Sequence, residues 1–184
     1  MASLESLEMA AHFTSKSMSL MQVIKEQVAA SPYSSECEVL QRDIESFKAL
    51  TNRVAQLLKQ RMVEAIQNED EVAIQKIADL FKSVDEQEEG MKHYTNYILQ
   101  VKTQKNLDTI IQGMYENTNE ASNLSESYAQ IHQVILECIN QYCESILQLF
   151  DLNSLLAFLR HIDKVAKEKG TQVIQHFLIT SNTE

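Results

Sequence analysis

Glycine and proline are almost missing from this chain of 184 residues: there are three glycines, one proline and no tryptophan. Glycine and proline punctuate β-turns, and without them a many-stranded fold has few places to reverse direction. No sustained alternation of apolar and polar residues reads as a strand either. An all-α fold remains, and with 44% hydrophobic residues the chain can bury a real core. Basic charge is also short, with 16 Lys and Arg against 26 Asp and Glu, a net −10. Nucleic-acid binding needs a basic face, so this balance excludes nucleic acid as the main ligand and favours basic partners. Cysteine is sparse and odd in number: Cys37, Cys138 and Cys143 sit in helical contexts, which argues against a disulfide framework and for a reducing compartment such as the cytosol. No apolar run approaches the roughly 20 residues that span a bilayer. Met1 to Ala30 carries acids and helical periodicity where a secretory signal would have a basic start and an apolar block. Any membrane association is therefore expected to be peripheral.

What the chain does contain is helical periodicity, strongest from Ser35 to Tyr97. Leu40, Ile44, Phe47, Val54, Leu57, Leu58, Met62 and Ile66 fall mostly three, four or seven apart, lining one side of a helix. From Ser35 to Gln67 that arm is roughly 50 Å long. The turn Asn68-Glu69-Asp70 breaks it, because Asn and Asp tolerate turn geometry and cap the next helix through their side-chain oxygens. A shorter helix returns through Val72, Ile77, Leu80, Phe81 and Val84, ending before Asp85, and an antiparallel hairpin is expected. Phe47, Leu58 and Met62 are its expected buried residues.

Around this hairpin the pattern predicts an elongated antiparallel bundle or helical rod of six to seven helices, read as one region over residues 1–184. Residues 1–30 form a leading helix with Leu7, Ala11, Met18, Met21 and Ile24 or Val28 near one face, stopped by Ser31-Pro32. Ser34 or Ser35 is placed to cap the long arm, and residues 34–113 hold the hairpin and the helix after it. That following helix opens on Glu86, Glu88 and Glu89, where the helix dipole favours carboxylates. It carries Met91, Tyr94, Ile98, Val101, Leu107, Ile110 and Ile111, with Gly113 as its expected stop. Glu116 to Ser127 is the expected loop and new helix start. A terminal pair over 120–180 follows, the first helix through Leu124, Tyr128, Ile131, Ile135, Cys138, Tyr142 and Leu149. The second opens at Asp151 or Asn153, offers a kink at Gly170, and frays from Thr180. No sequence repeat supports a solenoid.

Residues able to carry chemistry do not assemble into a motif. Neither HExxH nor the ExxH pair of di-iron bundles occurs. Cys138 and Cys143, about 140° apart around a helix, do not share a face for a metal ion and read as buried small hydrophobes. Glu89 and His93 are one helical turn apart, an exposed pair contributing about 0.3 kcal/mol. The same holds for His161 with its charged neighbours, while His12, His132 and His176 have no Asp or Cys at a spacing that suggests a triad, although a triad is assembled in space. No Gly-rich phosphate loop or nucleophile motif appears, so no catalytic, cofactor or metal residue is assigned and no enzyme is expected. Arg160, Lys164 and Lys167, with Lys169 nearby, share a face that reads as solvated surface, with acidic lipid or an acidic helix as the sharper alternative. Tyr94 and Tyr97 read as core or core edge. Gly90, inside the first turns of a helix, has two readings: close approach to a neighbouring helix, the long arm being the candidate, or an exposed site without a role.

These residues also carry a resemblance. Ala65-Ile66 before Asn68-Glu69-Asp70, the run Ile77-Ala78-Asp79-Leu80-Phe81, and Glu88-Glu89-Gly90-Met91 followed by Tyr94 to Tyr97 are together similar to the middle region of the conserved oligomeric Golgi complex subunit 4 family, part of a vesicle-tethering assembly. Leu7 to Ser15 and Ile131 to Phe177 are similar to flanking helices of that family, so the resemblance covers most of this chain and a minority of a full-length member. Where the family has a Gly-Pro-Gly-type link before its last helix, this chain has Phe150-Asp151-Leu152. The resemblance implies an interaction module acting in intra-Golgi retrograde transport before SNARE-mediated fusion, peripheral to the cytoplasmic face of the Golgi membrane. Its implied partners are other tether subunits and SNARE or SNARE-regulating proteins. The alternative is a stand-alone helical adaptor or a syntaxin-like regulatory bundle.

Overall fold

Seven α-helices account for nearly all of the described residues of the computed structural model, which are 3–30, 36–116 and 122–181, and no strand occurs among them. They are α1 (Leu4–Ala30), α2 (Glu36–Gln67), α3 (Glu71–Leu80), α4 (Gln87–Tyr97), α5 (Lys105–Glu116), α6 (Ser122–Leu149) and α7 (Leu152–Ser181). A 3₁₀ turn, Phe81–Val84, extends α3, and a π-helical segment, Ile98–Gln104, joins α4 to α5 without a break. The protein is all-α, as the missing turn residues and the periodicity predict. The Ser31-Pro32 stop, the Ser34 or Ser35 cap, the side chains of Val28, Cys37 and Leu124, and 117–121 of the expected loop lie outside the described residues. Contacts group the chain into two units, Met1–His93 and Tyr94–Glu184, and the division falls inside α4.

In the first unit α1 packs on α2 and on the 3₁₀ turn, while α3 folds back along α2. The reversal is made by the predicted turn. Glu69 takes positive φ (52°), and the Asp70 carboxylate accepts a hydrogen bond from the Ala73 amide at 3.0 Å, capping α3. The second reversal needs no glycine: Asp85 is left-handed (φ 58°), and the Glu86 amide bonds back to the Phe81 carbonyl at 3.0 Å. Leu58 and Met62 are buried as expected, with Ala55 and Ala65 beside them, against Ile74, Ile77, Ala78 and Phe81. Phe47 is only half-buried. Toward its N-terminal end α2 faces α1 across a groove that Phe47 lines with Met18, Met21 and Ile44, and the returning segment reaches it only with its last residues, Val84 to Glu86.

In the second unit α6 and α7 form a hairpin joined at Phe150-Asp151, and α5 lies against both. Asp151 opens α7, accepting from the Ser154 amide at 2.7 Å, and the Ser154 hydroxyl, seconded by that amide, holds its carboxyl below the usual range. Thr103 of the π segment meets Cys138 of α6, whereas Asp108 and Tyr115 meet Lys169 and His176 of α7, seven residues on in each helix. The chain thus runs down α5, up α6 and down α7. Tyr94 and Tyr97 are buried in this unit, with Tyr94 against Phe150. One expected feature is corrected. The helix runs past Gly113 to Glu116, because Gly113 stays in helical conformation and nothing caps the chain there. Gly170 lies within α7 and faces Tyr128 of α6.

The π segment explains why the stripe read through Val101 is displaced. It adds one residue to a turn: Ile98 and Leu99 are buried, Thr103 follows them inward with its hydroxyl reaching back five residues to the Ile98 carbonyl, and burial resumes at Leu107, Ile111 and Met114. Val101 is left half-buried. The Thr103 hydroxyl, carried inward, lies 3.0 Å from the Ile98 carbonyl oxygen and 3.1 Å from the Cys138 sulfur, within hydrogen-bond distance of both.

Candidate functional site

α1 is apolar on two opposite sides. Its inner side, Leu7, Ala11 and Thr14, is buried in the first unit, with Met18 and Met21 at the groove. Buried Thr14 is satisfied by its own helix, its hydroxyl donating to the Ala10 carbonyl at 2.7 Å. The outer side carries Met9, Phe13, Leu20 and Val23, exposed by 61, 68, 66 and 53%. At 100° per residue these four fall within about 80° of arc and along about 21 Å of helix. Single exposed apolar residues are ordinary on a protein surface, whereas these four large ones share one helix face. Lys16 lies inside the same arc, exposed and without an ion-pair partner among the described residues. His12 touches the stripe at its edge, its ring centroid 6.5 Å from that of Phe13.

Several of the polar residues singled out in the sequence pair within the units. Glu89 and His93 do pair, at 3.4 Å, and the His93 ring stacks on Phe81. Glu86 reaches back to Lys59 of α2 at 2.7 Å, so the acidic start of α4 is tied to the long arm. That hydrogen bond raises the Lys59 pKa. On α7, Arg160, Lys164 and Lys167 are exposed on one face, where Lys167 pairs with Asp163 at 2.6 Å; Lys169 lies apart from them, buried 2.7 Å from Asp108 of α5. Lys169 falls on the inner side because it sits seven residues after Ile162, which is buried on the same stripe.

Cys138 is buried and Cys143 half-buried, and burial pushes both thiols above their usual range; at Cys138 it outweighs the opposing effect of the Thr103 hydroxyl. The histidines are dispersed: His132 lies against Tyr128, His176 against Tyr115, and His161 is exposed. Among the described residues no three His, Cys, Asp or Glu side chains gather as metal ligands would. No helix is long and apolar enough to cross a membrane.

Gly90 is where the two sequence readings part, and the first holds in an altered form. It is buried, and a Cβ on it would stand 2.7 Å from the Phe81 Cβ and 3.0 Å from the Ala78 carbonyl oxygen. The neighbour that needs the space is the end of α3, not the long arm. What the sequence reading missed is the outer face of α1. Its signal was present, since Met9, Phe13, Leu20 and Val23 recur at helical spacings just as the inner stripe does. Two stripes on opposite sides of one helix blur each other's periodicity, and only burial tells them apart. No protein family, no curated protein and no solved structure matches the chain.

Proposed function

We propose that this chain is a non-catalytic binding module of a vesicle-tethering complex, peripheral to the cytoplasmic face of the Golgi membrane and acting before SNARE-mediated fusion. The observation that carries the binding role is the outer face of α1, an apolar stripe on a helix whose other side is already buried. The tethering context rests on the resemblance over Val54 to Tyr97. In that motif Glu88-Glu89-Gly90-Met91 has a physical requirement of its own, because the contact with Phe81 and Ala78 leaves room for no residue but glycine. Function by complementary surfaces fits a molecule whose described histidines and thiols are dispersed over its two units.

The test is to tag the protein in its source cells and fractionate them. Golgi-membrane association released by alkaline carbonate, together with stoichiometric co-purification of the other tether subunits, is the expected result. Recovery as a free monomer in the soluble fraction would overturn the tethering reading in favour of a stand-alone adaptor.

A further inference from the structure

The outer face of α1 combines an apolar stripe with one central charge. Lys16 sits between Phe13 and Leu20, and no described acid neutralises it. Covering the stripe would take that ammonium out of water, a large cost unless the covering surface supplies a carboxylate. Three kinds of occupant can be compared on this criterion.

A lipid surface fits poorly. Interfacial helices flank the apolar face with lysine and arginine, whereas α1 has Lys16 and Lys25 against Glu5, Glu8 and Glu26 in a chain of net charge −10. A second copy fits the apolar residues and fails at the charge. An antiparallel α1 pair would set Met9 against Val23 of its twin and Phe13 against Leu20, but the two-fold axis then passes beside Lys16 and brings the two ammonium groups together. A parallel in-register pair brings them together as well. A lone charge in an apolar seam is the device by which helices reject self-pairing and select a different partner.

Resting on the binding role proposed above, we propose that the outer face of α1 docks an amphipathic helix of another protein whose apolar stripe carries a glutamate or aspartate at its centre, opposite Lys16. The partner's apolar residues cover Met9, Phe13, Leu20 and Val23, and its carboxylate pairs with the ammonium as both leave water. The contact is local: beyond roughly 8 Å salt screens the acidic remainder of the chain.

The experiment uses the full chain and two synthetic helical peptides that share one leucine stripe and differ in a single central residue, glutamate or lysine. Fluorescence anisotropy should show the central-glutamate peptide binding about tenfold tighter or better, the order expected for replacing a like by an opposite charge in a contact. Lys16→Glu should invert that preference. Phe13→Ser should abolish binding of both peptides with an unchanged thermal melt, since Phe13 supports no core. Absence of binding by either peptide, or a preference insensitive to Lys16→Glu, would overturn the proposal. Concentration-dependent dimerisation lost in Phe13→Ser would overturn it in favour of a second copy, and vesicle binding lost in Phe13→Ser in favour of a membrane. Any of these can occur while the chain still co-purifies with tether subunits, so failure here is distinguishable from failure of the tethering reading.

Discussion

Gly90 of α4 lies against Phe81 so closely that a Cβ at position 90 would meet the Phe81 Cβ at 2.7 Å and the Phe81 Cγ at 3.0 Å. The Phe81 Cβ is bonded directly to the backbone and cannot swing away, and the Ala78 carbonyl on the other side belongs to the backbone itself. Gly90→Ala should therefore destabilise the protein by about 1 to 3 kcal/mol through overpacking, even after alanine's better helix propensity is counted. Gly113 is the internal control. It is also helical, but an added Cβ meets nothing within 4 Å. Gly113→Ala should gain up to about 1 kcal/mol by restricting the unfolded chain. Urea titrations of the two variants should move the midpoint in opposite directions, and a Gly90→Ala midpoint at or above wild type would refute the packing account.

The fold was legible in the sequence wherever one stripe per helix met one local signal. The Asn68-Glu69-Asp70 turn and the Asp151 start of α7 each place a carboxylate one turn before the amide it caps. Leu58 and Met62 lie on a stripe of regular spacing. Legibility ended where tertiary geometry decides. Nothing local marks the π turn that carries Thr103 inward in place of Val101, and nothing in the spacing of Lys169 announces that its charge is met by Asp108, 61 residues away. Phe47 has the right spacing, but α3 is too short to cover that part of α2. The candidate docking face was written plainly in α1 and hidden by the stripe opposite it.

The Lys169–Asp108 pair holds α7 to α5 and is asymmetric, with the lysine side chain 9% exposed and the aspartate 56%. Removing the aspartate strands a buried ammonium, whereas removing the lysine frees a carboxylate that water already reaches. Asp108→Ala should cost about 1 to 3 kcal/mol, and Lys169→Met, which fills the same space without a charge, less than about 1 kcal/mol. Equal losses in thermal or chemical denaturation would show that the pair is not organised by burial.

The thiols should give the native state a measurable alkaline limb. Burial raises the pKa of Cys138 and Cys143 in the folded protein, so folding favours their neutral forms. That contribution is whole below the ordinary thiol range and declines as pH climbs through it, where the unfolded chain ionises first. The urea midpoint should fall above about pH 8.5, and Cys138→Ala should flatten the slope. Lys59, raised by its bond to Glu86, loses its contribution only at still higher pH. In the native protein at neutral pH, Cys143 should react with an aromatic disulfide reagent before Cys138. A fast-reacting Cys138 would contradict its burial.

Tyr97 offers the sharpest single-atom test. It is buried, yet its hydroxyl has no hydrogen-bond partner among the described residues. Lys102, on the π turn that follows, sits 5.6 Å from the centre of its ring. The ring supplies packing and the cation contact, and both survive in phenylalanine. The hydroxyl alone bears a desolvation cost with nothing in return. Tyr97→Phe should thus leave stability unchanged or raise it by about 1 kcal/mol, contrary to the usual outcome when a buried tyrosine is replaced. A loss beyond about 0.5 kcal/mol in calorimetry would mean that the oxygen is engaged. The second unit's core would then hold, at the start of the π turn, a polar contact of Tyr97 in addition to that of the Thr103 hydroxyl with Ile98 and Cys138.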